Sequence, residues 1–414
     1  MRELLTVEQY QAELLALVHP DTRSEQLPLD QASGRVLAAS VTSAISVPVF
    51  DNSAMDGYAV RFAEVASVPA RLRVVGDVPA GSPCDPEAGP GECVRIMTGA
   101  PLPSFADTVV PVEDTELSGA VVTITSPPAR TGAHVRRTGE DFAAGAVLAE
   151  PGAELGPALV AALASVGATG VAVRPRPVVA VCATGDELVS DGSPLRRGQI
   201  YESNSLALTA TLVRHGADAR RAQPVGDRPE ALVAWLDSVT GAPSSGSGSI
   251  GGAGNVQLVV LTGGASVGAY DVVRDVLEQA GGTFRSVRVQ PGKPQGWAVW
   301  NGVPVVSLPG NPVSAALSYE LFVRPMLDRM LGRPERPWLT AVAATGWTSP
   351  PGRRQLVPVR FEGGADGRLL ATPSHVRGSA SHLVTSLAEA DGVVAVAEDA
   401  VEVAVGDVLP ARWL

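Results

Sequence analysis

The chain is poor in cysteine, poor in aromatics and short of positive charge, and each shortage removes a class of protein. Three cysteines, Cys84, Cys93 and Cys182, are too few and too widely spaced for a disulfide framework or a zinc site, so thiols in a reducing compartment are expected. Aromatics make up 4% of residues against 45% hydrophobic, so the cores must be built from Val, Leu and Ala. A formal net charge of −11 argues against sequence-independent binding to nucleic acid, while leaving room for a local basic pocket. No uninterrupted apolar run reaches the ~18–20 residues of a membrane span, so no membrane partner is expected. The opening MRELLTVEQYQAELLALV carries Glu3, Glu8 and Glu13 and reads as a helix, not a signal peptide, which points to the cytoplasm. The five histidines form no pattern that would support Ser–His–Asp chemistry.

What is present is length and texture. At 414 residues the chain exceeds one ordinary core, so about two to four domains are expected. From Thr6 to Val18 apolar residues recur at helical spacing, with Thr6 as N-cap and His19-Pro20 as the stop. A second short amphipathic stretch follows at 29–38. From about Val47 to Arg130, short β-branched runs alternate with Pro/Gly turns, the texture of a β-rich module. Residues 132–174 hold a Gly-rich loop and a helix at 157–166. From Arg176 onward strands and helices alternate: PVVAVCAT, VQLVVLT and VPVVSLP are all-apolar strands of the kind buried on both faces, and helices separate them. That order predicts a parallel sheet with right-handed crossovers. The Gly/Ser stretch 241–255 reads as a surface loop inserted between a helix and a strand. From about Pro334 to Leu414 short strands and turns return.

In a parallel sheet, ligands bind beyond the carboxyl ends of the strands. Three turns meet there. Thr184, Gly185, Asp186 and Glu187 follow the first strand; Thr262, Gly263, Gly264 and Ser266 the second; Pro309, Gly310, Asn311, Pro312 and Ser314 the third. Glycines let backbone N–H groups approach an anion, and the helix N-terminus that follows favours negative charge. None of the three is a Walker motif or a dinucleotide GxGxxG. Lys293, between Gly292 and Pro294, is either an oxyanion ligand or a solvent lysine. Asp186, Glu187, Asp227 and Asp271 are either hard oxygen ligands for Mg²⁺ and phosphate or, for Asp227 and Asp271, helix caps. DNSAMDGYA (51–59) and RIMTGAPLP (95–103) are turns or pocket walls. The residues alone predict a multidomain αβ protein with an anion site.

Taken together, DNSAMDGYA, RIMTGAPLP, VRRTGEDF, ATGDEL, GQIYESNS, LTGGASVGAYD, PGKP and SLPGNPVSA resemble the molybdopterin molybdenumtransferase family (bacterial MoeA and the E domain of gephyrin), in the family's order and through nearly the whole chain. The resemblance implies an α/β multidomain fold: an elongated linker domain from 1–47 and 132–174, an inserted β-rich module at 48–131, a central parallel-sheet αβα molybdopterin-binding domain at 175–331, and a small β-barrel-like domain at 332–414. It implies an enzyme that inserts molybdate into adenylyl-molybdopterin with release of AMP. Mg²⁺ would be held by Asp186, Glu187, Asp227 and Asp271. The implied catalytic residues are Asp56, Thr98, Asp141, Glu187, Asp227, Asp271, Lys293 and Ser381, with Arg353 or Arg360 as a pocket arginine. The βα turns would hold the pterin nucleotide. A homodimer is implied in which Asp56 and Thr98 face the cleft of the other subunit, and apo-molybdoenzymes would receive the product. Two departures stand out: Gln290 where the family usually has lysine, and Ala265 where it has valine. Two alternatives remain at this point: a molybdopterin adenylyltransferase, whose fold matches the αβ part alone, and a non-catalytic scaffold like gephyrin, though this chain lacks gephyrin's fused second domain and long linker.

Overall fold

The computed structural model describes residues 4–241, 256–264, 272–375, 381 and 383–414. The chain divides into two compact units. One comprises Met1–Glu25, Gly34–Ala38 and Val173–Leu414; the other comprises Gln26–Ser33 and Ala39–Ala172.

In the larger unit, the helix Val7–Leu15 starts as expected: Thr6 Oγ1 accepts the Gln9 N–H while the Gln9 side chain accepts the Thr6 N–H, a capping box. The central sheet has the order Asp218–Arg221, Val178–Ala183, Leu258–Thr262, Val303–Leu308, Pro294–Trp300, Thr283–Ser286. The first four strands are parallel, as the alternation of strand and helix requires. Pro294–Trp300 runs against them, because Asn301 and Gly302, both at positive φ, turn the chain directly back into Val303–Leu308 in a tight hairpin, and Thr283–Ser286 pairs antiparallel with its far side.

The all-apolar strands are explained by the layers. Val179, Val181, Leu258 and Val260 pack into one core with Leu208, Leu317 and Phe322. Their neighbours Ala180, Cys182, Val259 and Leu261 pack into a second core with Leu232, Leu236 and Val276. Side chains alternate across a strand, so both faces must be covered by helices. The helix that follows the third strand is not continuous: Pro312–Ser318 leads into a π-helical turn, Tyr319–Val323, and then into Arg324–Leu331. Pro325 lacks an N–H, so the ladder must adjust one turn before it.

The C-terminal strands of this unit close on themselves. Arg354–Gly363 pairs with both Leu369–Pro373 and Gly392–Val396, and the ring is completed through Leu339–Ala343 and Val408–Trp413. Val357, Val359, Val394 and Ala371 fill the interior, and closure leaves no free edge among these strands.

The second unit holds a six-stranded sheet in the order Thr108–Pro111, Gly57–Val60, Glu92–Ile96, Ala70–Val78, Val121–Ile124, Thr115–Ser118. Its two faces carry separate cores, one around Tyr58, Leu72 and Cys93 and the other around Val78, Ile96 and Val109. The stretch 29–38 is amphipathic as expected, with Leu29, Ala32, Val36 and Leu37 buried and Asp30 and Gln31 exposed. Only Leu29–Gln31 forms a 3₁₀ turn, and Gly34 at φ +72° breaks the run. No helix among the described residues is long and apolar enough to cross a membrane.

Candidate active site

The three βα turns do converge. A cleft of about 1180 Å³ in the larger unit lies at the carboxyl edge of the parallel strands and is lined by Thr184, Gly185 and Glu187, by Thr262, Gly263 and Gly264, and by Pro309, Gly310, Asn311, Pro312 and Ser314. Main-chain bonds between strand ends hold the turns in register: Thr184 N–H donates to Thr262 O, and Gly263 N–H to Leu308 O. At Gly263 only glycine fits. Its φ is +97°, and an added Cβ would lie 2.7 Å from Thr184 O.

Asn204, which sequence reasoning did not single out, fastens the second turn to the third. Its Nδ2 donates to Thr262 Oγ1 at 3.0 Å and to Gly310 O at 2.6 Å. The available signal was an asparagine opening the helix Asn204–Arg214 right beside a turn rich in polar residues. Asn204→Ala leaves the buried Thr262 hydroxyl and the Gly310 carbonyl short of a donor, a loss of about 1–3 kcal/mol. The expected result is a raised substrate KM with a small drop in melting temperature; an unchanged KM removes Asn204 from the binding surface.

The carboxylates separate into two groups. Asp186 and Asp227 each accept the other's backbone N–H, at 3.1 Å for Asp227 N to Asp186 Oδ1 and 3.2 Å for Asp186 N to Asp227 Oδ2. The pair clasps the turn after the first strand to the turn before the helix Pro229–Thr240. That corrects the helix-cap reading of Asp227, since the cap position is Arg228 and no side chain caps this helix. Glu187 and Asp227 line the cleft, whereas Asp186 does not. Asp271 and Ser266 lie outside the described residues. Among the described residues, no group of three or more His, Cys, Asp or Glu is placed to hold a metal ion. Two cleft carboxylates do fit Mg²⁺, which binds through one or two carboxylates and keeps water and phosphate oxygens in its other positions.

Cationic and hydroxyl groups gather at the other end of the sheet edge. Lys293, the chain's only lysine among 32 basic residues, lines the cleft from the turn before Pro294–Trp300. The turn is held from behind by the fully buried Gln295, whose Nε2 donates to Gly292 O and to Ser318 Oγ, each at 2.7 Å. Val289–Gln290 pairs in parallel with Arg354–Gln355, and this register brings Arg353 to the cleft beside Gln290. Arg353 Nη1 donates to Gln290 Oε1 at 3.2 Å, so a guanidinium stands next to the position where the family usually has lysine. Arg360 is exposed further along the same strand and does not line the cleft. Ser381 accepts from Asn311 Nδ2 at 3.0 Å through its hydroxyl, and from Val313 N–H at 3.1 Å through its carbonyl.

Asp56, Thr98 and Asp141 belong to the second unit. The Thr98 N–H (2.7 Å) and hydroxyl (2.8 Å) both donate to Asp56 Oδ1, which holds this carboxyl below the usual carboxylate range. Asp141 is exposed, and its backbone N–H donates to Val47 O. Asp51, absent from the sequence-based candidates, does the same work as Asp56 for the neighbouring segment. It takes the Thr138 N–H and hydroxyl and the Arg137 guanidinium, and those contacts lower its pKa. It thereby ties DNSAMDGYA to VRRTGEDF.

The family model described as "MoeA N-terminal region (domain I and II)" matches residues 5–167, "Probable molybdopterin binding domain" matches 180–329, and "MoeA C-terminal region (domain IV)" matches 340–411. Molybdopterin molybdenumtransferase 2 of Mycobacterium tuberculosis is 39% identical, covering 98% of each chain. Molybdopterin molybdenumtransferase of Bacillus subtilis is 32% identical, over 90% of this chain and 85% of that protein. A crystal structure of a molybdopterin biosynthesis MoeA protein from Pyrococcus horikosii superposes with a TM-score of 0.75 at 32% identity, covering 99% of both chains. With three models in sequence order along one chain and full-length relatives well above chance identity, this protein belongs to the molybdopterin molybdenumtransferase (MoeA) family.

Proposed function

We propose that the chain is a transferase that inserts molybdate into adenylyl-molybdopterin and releases AMP, completing molybdenum cofactor. The observation that carries this reading is one cleft with two chemically distinct ends. Glu187 and Asp227 stand at one end, and Lys293, Arg353 and Ser381 at the other. The βα turns, rich in glycine and backbone N–H groups, suit the phosphates between them. Lys293 and Arg353 supply positive charge for the tetrahedral molybdate oxyanion, and the Ser381 hydroxyl supplies a hydrogen bond. Mg²⁺, held by Glu187 and Asp227 and completed by water and phosphate oxygens, would neutralise charge on the phosphoanhydride. The protein's own contribution is positioning and preorganised charge, which dominate phosphoryl chemistry. The Asp186–Asp227 clasp and the Asn204 clamp keep the turns from yielding as the substrate binds.

The proposal extends to four structural parts, a linker domain, a β-rich module, the αβα domain and a C-terminal β domain. It places the enzyme in the cytoplasm as a homodimer, with Asp56 and Thr98 completing the cleft of a second copy of the chain and Asp141 as a further catalytic residue. The product passes to apo-molybdoenzymes. The test is AMP release from purified adenylyl-molybdopterin, with and without molybdate and Mg²⁺. The expected result is molybdate-dependent release that yields a cofactor able to activate an apo-molybdoenzyme. ATP consumption with free molybdopterin, and no AMP release, would instead make the chain an adenylyltransferase.

A further inference from the structure

Tyr201 stands apart from the other described tyrosines. Tyr10, Tyr58 and Tyr319 are nearly fully buried, whereas Tyr201 is 52% exposed. Among the described residues it is the one aromatic side chain that lines the cleft. Among the described residues its ring stacks on no other aromatic ring and on no guanidinium. Yet it is held in place. The strand Ile200–Tyr201 pairs in parallel with Leu188–Val189, Ile200 N–H donates to Glu187 O at 2.9 Å, and Glu202 N–H donates to Val189 O at 2.9 Å. The Tyr201 hydroxyl donates to Ser193 O at 3.2 Å. The next residue, Glu202, is locked by the Ser205 N–H and hydroxyl and by Arg221. A side chain fixed at both its backbone and its tip, and half exposed in a cleft, can serve as a stacking platform.

Position along the sheet edge says which flat group it suits. Tyr201 and Glu187 belong to the segment after Val178–Ala183, and Lys293 precedes Pro294–Trp300. Two strands, Leu258–Thr262 and Val303–Leu308, lie between them. That separation is three strand spacings, about 14 Å at ~4.8 Å each. In the reaction proposed above, on which this inference rests, the substrate is a linear assembly of dithiolene-bearing pterin, phosphoanhydride, ribose and adenine. With molybdate and dithiolene at the Lys293 end and the anhydride toward Glu187, the adenylate extends onto Tyr201. We propose that Tyr201 is the stacking platform for the adenine ring and a determinant of nucleotide recognition.

The probe is AMP itself, titrated calorimetrically into the full-length protein. Tyr201→Ala is expected to raise the AMP Kd by about 5- to 150-fold, the range found when an aromatic stacking partner of a base is removed. Tyr201→Phe, which keeps the ring, should stay within a few-fold of wild type, and an unchanged melting temperature for both variants excludes a folding defect. An AMP Kd unmoved by Tyr201→Ala overturns the proposal, as does wild-type protein that does not bind AMP. Weakened binding of adenylyl-molybdopterin with an unchanged AMP Kd overturns it too, since the ring would then serve the pterin. Failure of the transferase reading shows separately, as absent molybdate-dependent AMP release by the wild type.

Discussion

Glu187→Gln is expected to lower kcat for AMP release by about 10²- to 10³-fold, the loss that follows removal of one preorganised electrostatic contact. The substitution is isosteric and the side chain is exposed in the cleft, so the fold should not change. The main chain at this residue is fixed independently, through Ile200 N–H to Glu187 O. An interaction made only in the transition state lowers kcat and kcat/KM together and leaves KM in place. The check is single-turnover AMP release alongside equilibrium binding of adenylyl-molybdopterin. Wild-type turnover in the variant removes Glu187 from the mechanism. An equal loss of binding would instead assign Glu187 to recognition of the bound ground state.

Asp328→Asn carries the largest expected cost to stability. Asp328 sits between two arginines: Arg324 Nε donates to both its oxygens at 2.9 and 3.0 Å, and Arg333 Nη1 lies 3.4 Å from Oδ1. The three side chains are 8%, 11% and 9% exposed. Arg333 also donates to His215 O at 2.6 Å, so the cluster joins the helix Arg324–Leu331 to the end of Asn204–Arg214. Removing the central anion takes from two buried guanidinium groups the carboxylate they share, and breaking a buried pair of this kind costs about 3–5 kcal/mol. The surroundings already disfavour further positive charge: burial first, then Arg324 and Arg336, push the His215 pKa down to about 3. Urea unfolding followed by fluorescence measures the cost. Asp218→Asn, which breaks only the exposed pair with Arg220, serves as the contrast and should cost no more than about 1 kcal/mol. Similar losses in the two variants would mean that the Arg324–Asp328–Arg333 cluster is solvated in solution.

What could be read directly from the sequence was local. The Thr6 cap, the all-apolar strands and the three glycine-bearing turns each depend on residues within a few positions of one another, and period and turn chemistry reveal those. The parallel order of the sheet then places the turns on one edge without further information. What stayed hidden depends on pairings far apart in the chain. Arg353 and Arg360 have equal claims in the sequence, and the pairing of Val289–Gln290 with Arg354–Gln355 decides between them. The exchange of N–H groups between Asp186 and Asp227 spans 41 positions, so Asp227 read naturally as a helix cap. Asp51 meets Thr138 across 87 positions, and nothing in DNSAMDGYA alone separates a partnered aspartate from a solvated turn. Asn204 was missed for the same reason, since both its acceptors lie on other strands' turns.

The composition of the chain gives the PGKP turn one more consequence. Of the 32 lysine and arginine side chains, every one except Lys293 is a guanidinium. Arginine and lysine are interchangeable on a solvated surface but not where a compact ammonium on a flexible stem is required. The one place where lysine persists is the cleft. Amine-directed chemistry on this protein therefore reads out a single side chain, apart from any α-amino group. An acylating reagent becomes a footprint of the cleft, and the degree to which a ligand shields the chain from labelling measures occupancy of that turn with no engineered probe.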